Sequence, residues 1–527
     1  MNRLESPEEQ EQIEFLHRLL MESNSTEHQT TGENLRNRSD ILYQLGVAYL
    51  RNEEPLKARE YLEEAEKIAD ESQDSSFHAE VLYALGDSYY QQRQFNAAIA
   101  YYQKYLTISQ QLQNPRGEIT ALFELGNAYL YLRQFTQAAT FYQQCLEIEQ
   151  QIGDRYSYAS TYHQLGYVAQ NLREFEEARR YYQQALAIEI EFDARHSLAS
   201  TYHQLGYVAQ DLQEFEEARR NYQQALALKI EFGDRFSSAS TYHHLGMLAH
   251  ELREFEEARC YYQQALAIKI EYGDRNSQAT TYQGLGMLAY ELGEFEEARC
   301  YYQQALAIYI EYGDRFSQAR VHHNLGTVGQ RLREFEEAHR DYQQALVIYI
   351  EFADRNSSAG TYHHLGMLAY ELREFEEARR YYQQALAIKI EFGDRNSQAS
   401  TYHELGRVAQ ELQEFEEARR YYQQVLAINI EFGDRNSQAV IYYNLGRVAY
   451  ELQEFEESRR NYQEALAIYI ECGDRNSQAS TYQKLGRVAQ ELQEFEEARH
   501  NHQEALAIYI EFGDRNSQAS TRHSLGI

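Results

Sequence analysis

Apolar and small residues recur along this chain at helical spacing, and the pattern itself recurs every 40 residues. In one stretch, Tyr202, Leu205, Gly206 and Ala209 follow spacings of three, one and three, which puts them on one helical face. Phe215, Ala218, Tyr222, Ala225 and Leu228 continue with three, four, three and three. The polar break Asp211-Leu212-Gln213-Glu214 separates the two runs. Glu216, Glu217, Arg219, Arg220, Gln223 and Gln224 fill the other face of the second run, with Glu216 and Arg220 in the i,i+4 order of a helical ion pair. Phe232-Gly233-Asp234-Arg235 closes the pair: Gly233 suits a left-handed C′ position, and Asp234 can cap the next helix. The pattern predicts an all-α chain of antiparallel helix pairs.

Aligned on Leu-Gly, the pairs run from Leu45-Gly46 and Leu85-Gly86 to Leu485-Gly486, with no insertion or deletion. Twelve units therefore fill residues 41–520, and residues 521–527 open a thirteenth. A single helix pair cannot cover both of its apolar faces, so each unit needs its neighbours. Gly206, Ala209, Ala218 and Ala225 allow close helix approach, while Phe215 and Tyr222 fill the spaces left between them. Residues 1–40 read as a capping helix and a polar connector. Ser6-Pro7-Glu8-Glu9 supplies an N-cap, an N1 proline and a Glu at N3, and Ile13, Leu16, Leu19 and Leu20 form one side of a helix ending near Met21. The array stops inside a first helix at Ile527, which reads as a truncation.

Charge narrows the partners. A net charge of −32, from 82 acidic and 50 basic residues, argues against nucleic acid and anionic membranes. No apolar run reaches a membrane-spanning length and no signal-peptide core is present, so a cytoplasmic protein is expected. Cys260 and Cys300 lie one period apart, and stacked pairs separated by about 10 Å exceed disulfide reach. Cys145 and Cys472 complete the set, and a reducing compartment is the simpler setting.

Catalytic chemistry is missing from the pattern: there is no phosphate loop, no Ser-His-Asp order and no Cys-His nucleophile setting. Neither an enzyme nor a cofactor is expected. His163, His203, His243, His323, His363 and His403 share one position, interrupted by Gln283 and Gln483. Ligands on successive helices about 10 Å apart cannot converge within about 2 Å of one ion, so no metal site is expected. A weak titration of this ladder near pH ~6.5 is the remaining expectation for it.

Tyr202, Leu205-Gly206, Ala209, Phe215, Ala218, Tyr222 and Ala225 resemble the tetratricopeptide repeat (TPR) consensus in type and spacing. The match spans nearly all of residues 41–520, with Leu42, Leu82 and Leu122 in the first three units where later ones mostly have Tyr. The 40-residue length, with Ile230 in place of the usual proline, resembles the repeats of kinesin light chains, Pins-type scaffolds and bacterial TPR arrays. The resemblance implies a right-handed TPR solenoid of about twelve repeats whose first helices line a concave groove. Groove positions would include His203, Tyr207, Gln210, His243, Met247, Met287, His323, Met367, His403, Arg407, Arg447 and Arg487. Read along the chain, the Tyr207 position drifts from aromatic to Met to Arg, which suits an adaptable apolar contact followed by carboxylates. Glu404, Glu411 and Glu451 stand close enough in sequence to occupy Arg407 and Arg447. His203, Gln204 and Tyr207 do not reproduce the chaperone-tail clamp, and only Asn127 carries the Pins-type Asn. The implied function is a scaffold for a partner protein or peptide, acidic where it faces Arg407 to Arg487. The alternatives are a sensor arm of a larger effector whose catalytic domain lies beyond Ile527, and a plain spacer.

Overall fold

The computed structural model describes residues 7–25, 32–71 and 74–525. Those residues form twenty-six α-helices, from Pro7–Ser25 to Arg515–Leu525, and no strand is found among them. Two compact units are present, Met1–Tyr272 and Gly273–Ile527. Within each unit, consecutive helices pack into hairpins, and each hairpin packs on the next.

One hairpin shows how the sequence encodes the shape. Its first helix is Arg195–Asp211 and its second is Phe215–Glu231. The chain reverses between them at Gln213, whose φ of 62° is left-handed. It then leaves the second helix through Gly233 at φ 66°, where glycine carries no Cβ penalty. Asp234 accepts a hydrogen bond from the Ser237 amide at 3.0 Å, capping the next first helix as its position foretold. Ala194 stands at the equivalent place one hairpin earlier and supplies no side-chain cap.

Close approach inside the hairpin depends on Gly206. A Cβ there would lie 2.6 Å from the Tyr222 ring, and Tyr222 is itself fully buried. The same Gly–Tyr contact recurs in the second unit, for example at Gly366 and Tyr382. Leu205, Val208 and Ala209 complete the buried stripe of the first helix, facing Ala218 and Ala225 of the second.

The charged face behaves differently from the local pairing expected for Glu216 and Arg220. Arg219 instead reaches across to the next hairpin, to Glu254 at 2.5 Å and Glu257 at 3.6 Å. From Arg155 onward, a second row of ion pairs joins the two ends of a hairpin, as in Arg195 to Glu231 at 2.9 Å and Arg395 to Glu431 at 2.9 Å. Stacking thus adds pairs between residues 35 apart to local ones such as Arg180 with Glu177 at 2.8 Å.

At the N-terminus, Ile13 and Leu16 enter a core with Leu42, Leu45 and Leu62, and His17 Nε2 lies 3.0 Å from the Tyr49 hydroxyl. The next helix starts at Gly32, inside the stretch expected to be a connector. Ser6 and Ile527 lie outside the described residues. All four cysteines are free thiols, with Cys145 buried and the others exposed.

Candidate functional site

The expected groove residues sit on the first helices, and the structure divides them into two classes. Tyr207, Met247 and Met287 are exposed, as are Arg447 and Arg487, while Met367 and Arg407 are half-buried. The histidines are not free surface groups. His203 is half-buried, edge-on to Tyr222 at 5.5 Å, and its Nδ1 lies 3.1 Å from the Thr241 hydroxyl of the next hairpin. His163 makes the same bond to Thr201 at 3.0 Å, His323 to Thr361 at 3.1 Å and His363 to Thr401 at 3.4 Å. His403 faces Glu404 at 3.4 Å, and His243 lies edge-on to His244.

This geometry corrects the expected titration near pH ~6.5. Burial lowers His163 to about 4, and burial with the cations of His244 and Lys229 lowers His203 to about 2. His163, His203, His243, His323 and His363 are neutral over the physiological range. His163, His203, His323 and His363 each engage a threonine hydroxyl of the next hairpin through Nδ1, which the sequence pattern did not reveal.

Pockets open on the first helices. One of about 640 Å³ lies in the first unit and is lined by Tyr131, Arg133, His163, Gln164, Tyr167 and Gln204 among others. Two more lie in the second unit. One of about 530 Å³ gathers Tyr290, Arg331, Arg333, Phe335, His364 and Met367. The other, about 400 Å³, includes Met367, Tyr370, Arg373, Glu404 and Arg407. Of the drifting row, Asn127, Tyr167, Thr327, Met367 and Arg407 therefore reach pocket walls. Arg407 is partly occupied, bonded to Glu404 at 2.9 Å and stacked 4.5 Å above the Tyr370 ring. Arg447 bonds to Gln410 of the preceding hairpin rather than to Glu451.

Sequence reasoning missed the turn residues. Arg133, Arg333 and Arg373 occupy the left-handed turn between first and second helices, at φ 59°, 61° and 61°, and this places each beside a pocket. They looked like members of a polar break; their recurrence as Arg at the third residue of that break was the available signal. Arg331 was missed as well, although the equivalent residues from Asp211 to Glu491 are otherwise acidic. Its Nε donates to the Tyr290 hydroxyl at 3.0 Å.

A second missed feature lies behind the groove. Near the end of each second helix one side chain turns inward, and its identity changes along the chain. In the first unit it is Ala69, Ser109, Glu149, Glu189, Lys229 and Lys269, all buried. In the second it is Tyr309, Tyr349, Lys389, Asn429, Tyr469 and Tyr509. The neighbouring Ile230, which stands in place of the usual proline, is exposed. Thr161 donates to Glu149 at 3.1 Å and Thr201 to Glu189 at 3.0 Å. Lys229 reverses the arrangement, its Nζ donating to Thr241 at 2.8 Å and to the Ser237 carbonyl at 3.2 Å. Burial pushes Glu149 and Glu189 up to about 7 and Lys229 down to about 8.

A family model for the tetratricopeptide repeat matches residues 37–111, 117–190, 197–271, 269–311, 317–391, 357–431, 397–471 and 437–511. The chain belongs to the tetratricopeptide repeat family. Solved structures similar to this TPR chain include the apo quorum sensor NprR from B. thuringiensis. It is 16% identical with a TM-score of 0.50, over 64% of this chain and 94% of that one. Apo RapI is 17% identical at a TM-score of 0.40, over 52% of this chain and 99% of its own. BtubC from P. vanneervenii is 21% identical at 0.36, over 45% and 92%. At such identities the likeness concerns the fold. No curated protein matches the sequence. No helix among the described residues is long and apolar enough to cross a membrane.

Proposed function

We propose that this TPR array is a scaffold that binds a partner protein, through an extended or helical peptide, along its first helices. The observation that carries the reading is that these pockets are lined mainly by first-helix residues and the turns beside them. The frame-forming positions, such as Gly206 and Tyr222 or Gly366 and Tyr382, repeat nearly unchanged, while first-helix positions such as Tyr167, Met367 and Arg407 differ between hairpins where a partner would touch. Tyr131 and Tyr167 offer aromatic contact in the first unit. Met367 with Arg331, Arg333 and Arg373 offers apolar and cationic contact in the second. Carboxylates on the partner suit these arginines better than Arg407, whose charge Glu404 already meets.

The test is affinity capture from host lysate followed by mass spectrometry. Wild type is compared with a variant carrying Met287, Met367, Arg407 and Arg447 as Ala, and with Arg331→Glu/Arg333→Glu. A protein recovered by wild type and lost from either variant supports groove binding. Equal recovery by all three chains contradicts it.

A further inference from the structure

The buried residue behind the groove connects to the groove through two hydrogen bonds. In the first unit, Glu189 Oε1 lies 3.0 Å from Thr201 Oγ1, and the same hydroxyl lies 3.0 Å from His163 Nδ1. His163 is part of the wall of the 640 Å³ pocket. With Nδ1 engaged, Nε2 is the one remaining polar atom of its ring. One hairpin later the chain is Lys229 Nζ, Thr241 Oγ1 and His203 Nδ1, at 2.8 and 3.1 Å. The two relays occupy equivalent places and begin with opposite chemistry.

A hydroxyl has one proton to give, so the first member of each relay dictates the direction of the rest. An ammonium can only donate. Lys229 therefore makes Thr241 an acceptor on that side, leaves the threonine proton for His203 Nδ1, and puts the histidine proton on Nε2. An ionised Glu189 can only accept. It takes the Thr201 proton, so Thr201 must accept from His163, the proton sits on Nδ1, and Nε2 becomes a bare acceptor. A protonated Glu189 can donate to Thr201 and return His163 to the state of His203.

We propose that Glu189 is a specificity-setting positioning residue: through Thr201 it decides whether His163 presents a hydrogen-bond acceptor or a donor to the groove. Lys229 fixes the corresponding His203 as a donor. Protonation of Glu189 thus converts the pocket from one that accepts an N–H or O–H of its partner to one that donates to a carbonyl or carboxylate. The exchange balances with one proton taken up: His163 Nδ1 gives its proton to Thr201, Thr201 gives its own to Glu189, and Nε2 takes one from solvent in the groove.

The surroundings allow Glu189 to change state near neutral pH. It is buried, and its Oε2 has no hydrogen-bond partner, so ionisation leaves a charged oxygen unmet. The influences on it are burial, which raises its pKa to about 7, and the Thr201 hydroxyl, which lowers it. Its own helix, Phe175–Glu191, offers buried Tyr182, Ala185 and Ile188. Across the interface, Thr201 comes from Arg195–Asp211 and His163 from Ser157–Asn171. Tyr182 stands edge-on to His163 at 5.3 Å, and burial keeps both neutral where Glu189 titrates. Glu149 does not share the function: its Thr161 leads towards Phe123, at the position where later hairpins carry His163 and His203.

The consequence for binding rests on the groove reading, but the relay itself is tested on the whole chain with no ligand. Long-range proton–nitrogen NMR on ¹⁵N-histidine-labelled protein distinguishes the Nδ1–H tautomer, the Nε2–H tautomer and imidazolium. His163 and His203 are assigned from His163→Gln and His203→Gln. In wild type, His163 is expected to be Nδ1–H at pH ~8 and Nε2–H at pH ~5.5, with an apparent midpoint near 7. His203 is expected to remain Nε2–H at both. Glu189→Lys should fix His163 as Nε2–H throughout, and Thr201→Val should abolish its pH dependence. A His163 tautomer that ignores pH and Glu189→Lys overturns the proposal, as does direct conversion of His163 to imidazolium in this range. Either failure leaves groove binding untouched, because the capture experiment reads that separately.

Discussion

The second helices Phe175–Glu191 and Phe215–Glu231 differ at three places, Tyr181 against Asn221, Ile188 against Leu228 and Glu189 against Lys229. Their backbones do the same thing. Tyr182 and Tyr222 are fully buried, each against the glycine of its own first helix. Yet the same inward position holds a carboxyl in one hairpin and an amine in the other. The frame tolerates the exchange because a threonine hydroxyl can serve either as donor or as acceptor, and because burial draws both groups towards their neutral forms. Shape is therefore set by small residues and tyrosine, while the sign of the buried group is free to vary and to tune what lies in front of it.

Substitutions at the shared frame should erase the comparison, hitting both hairpins alike. Gly166→Leu and Gly206→Leu drive side chains into Tyr182 and Tyr222, whose ring atoms lie 2.8 and 2.6 Å from an added Cβ. Each should destabilise its hairpin at or above the upper end of the roughly 1–3 kcal/mol usual for overpacking. Segment-resolved amide exchange reads this directly, and wild-type protection in either variant would refute the packing.

The pH response should separate the two. Glu189 has a folded pKa above its unfolded value, so its hairpin is most stable below pH ~4.5 and loses stability as pH rises towards 7, by on the order of 2–3 kcal/mol. Lys229 has a folded pKa below its unfolded value, so its hairpin gains stability as pH rises from about 8 towards 10.5. Amide exchange corrected for intrinsic rates should show opposite slopes in the two segments. Parallel slopes would mean that the buried groups do not govern these interfaces.

Removing the threonines should sharpen the contrast by a smaller amount. Thr201→Val leaves Glu189 with no partner for either oxygen, whereas Thr241→Val leaves Lys229 the Ser237 carbonyl. The first should cost about 1–3 kcal/mol and the second less, measured by denaturant-dependent exchange of the two segments. Equal losses would count against the hydrogen-bond assignment. Smallest of all should be Arg219→Ala: its pair with Glu254 is partly exposed, is worth about 0–1 kcal/mol, and should fade in high salt.

How much of this could be read from the sequence follows the same division. The spacing of Tyr202, Leu205, Gly206 and Ala209 identified the first helix, and Gly233-Asp234 located its successor's cap, because these features depend on near neighbours. Residues 35 to 38 apart were another matter. Arg219 with Glu254, and His163 with Thr201, meet only after stacking, and helical periodicity carries no information about the offset between hairpins. Lys229 was hidden by its own chemistry: a lysine carries no apolar signal for burial, yet it is buried while the neighbouring Ile230 is exposed. Arg133 and Arg333 were passed over as turn filler, although a left-handed turn aims them beside the pockets. The row from Tyr207 to Arg487 was found by its variation, but its cations are already partly matched at Arg407 and Arg447.

The account's central claim is that a partner binds on the first helices over an invariant frame. Its most direct measurement is amide exchange of the full chain with and without a captured partner. Protection concentrated in Pro115–Tyr131, Ser157–Asn171, Arg315–Arg331, Arg355–Glu371 and Arg395–Glu411, first helices that wall the pockets, is the predicted result. Protection confined to the outer faces of second helices such as Phe215–Glu231 would contradict it.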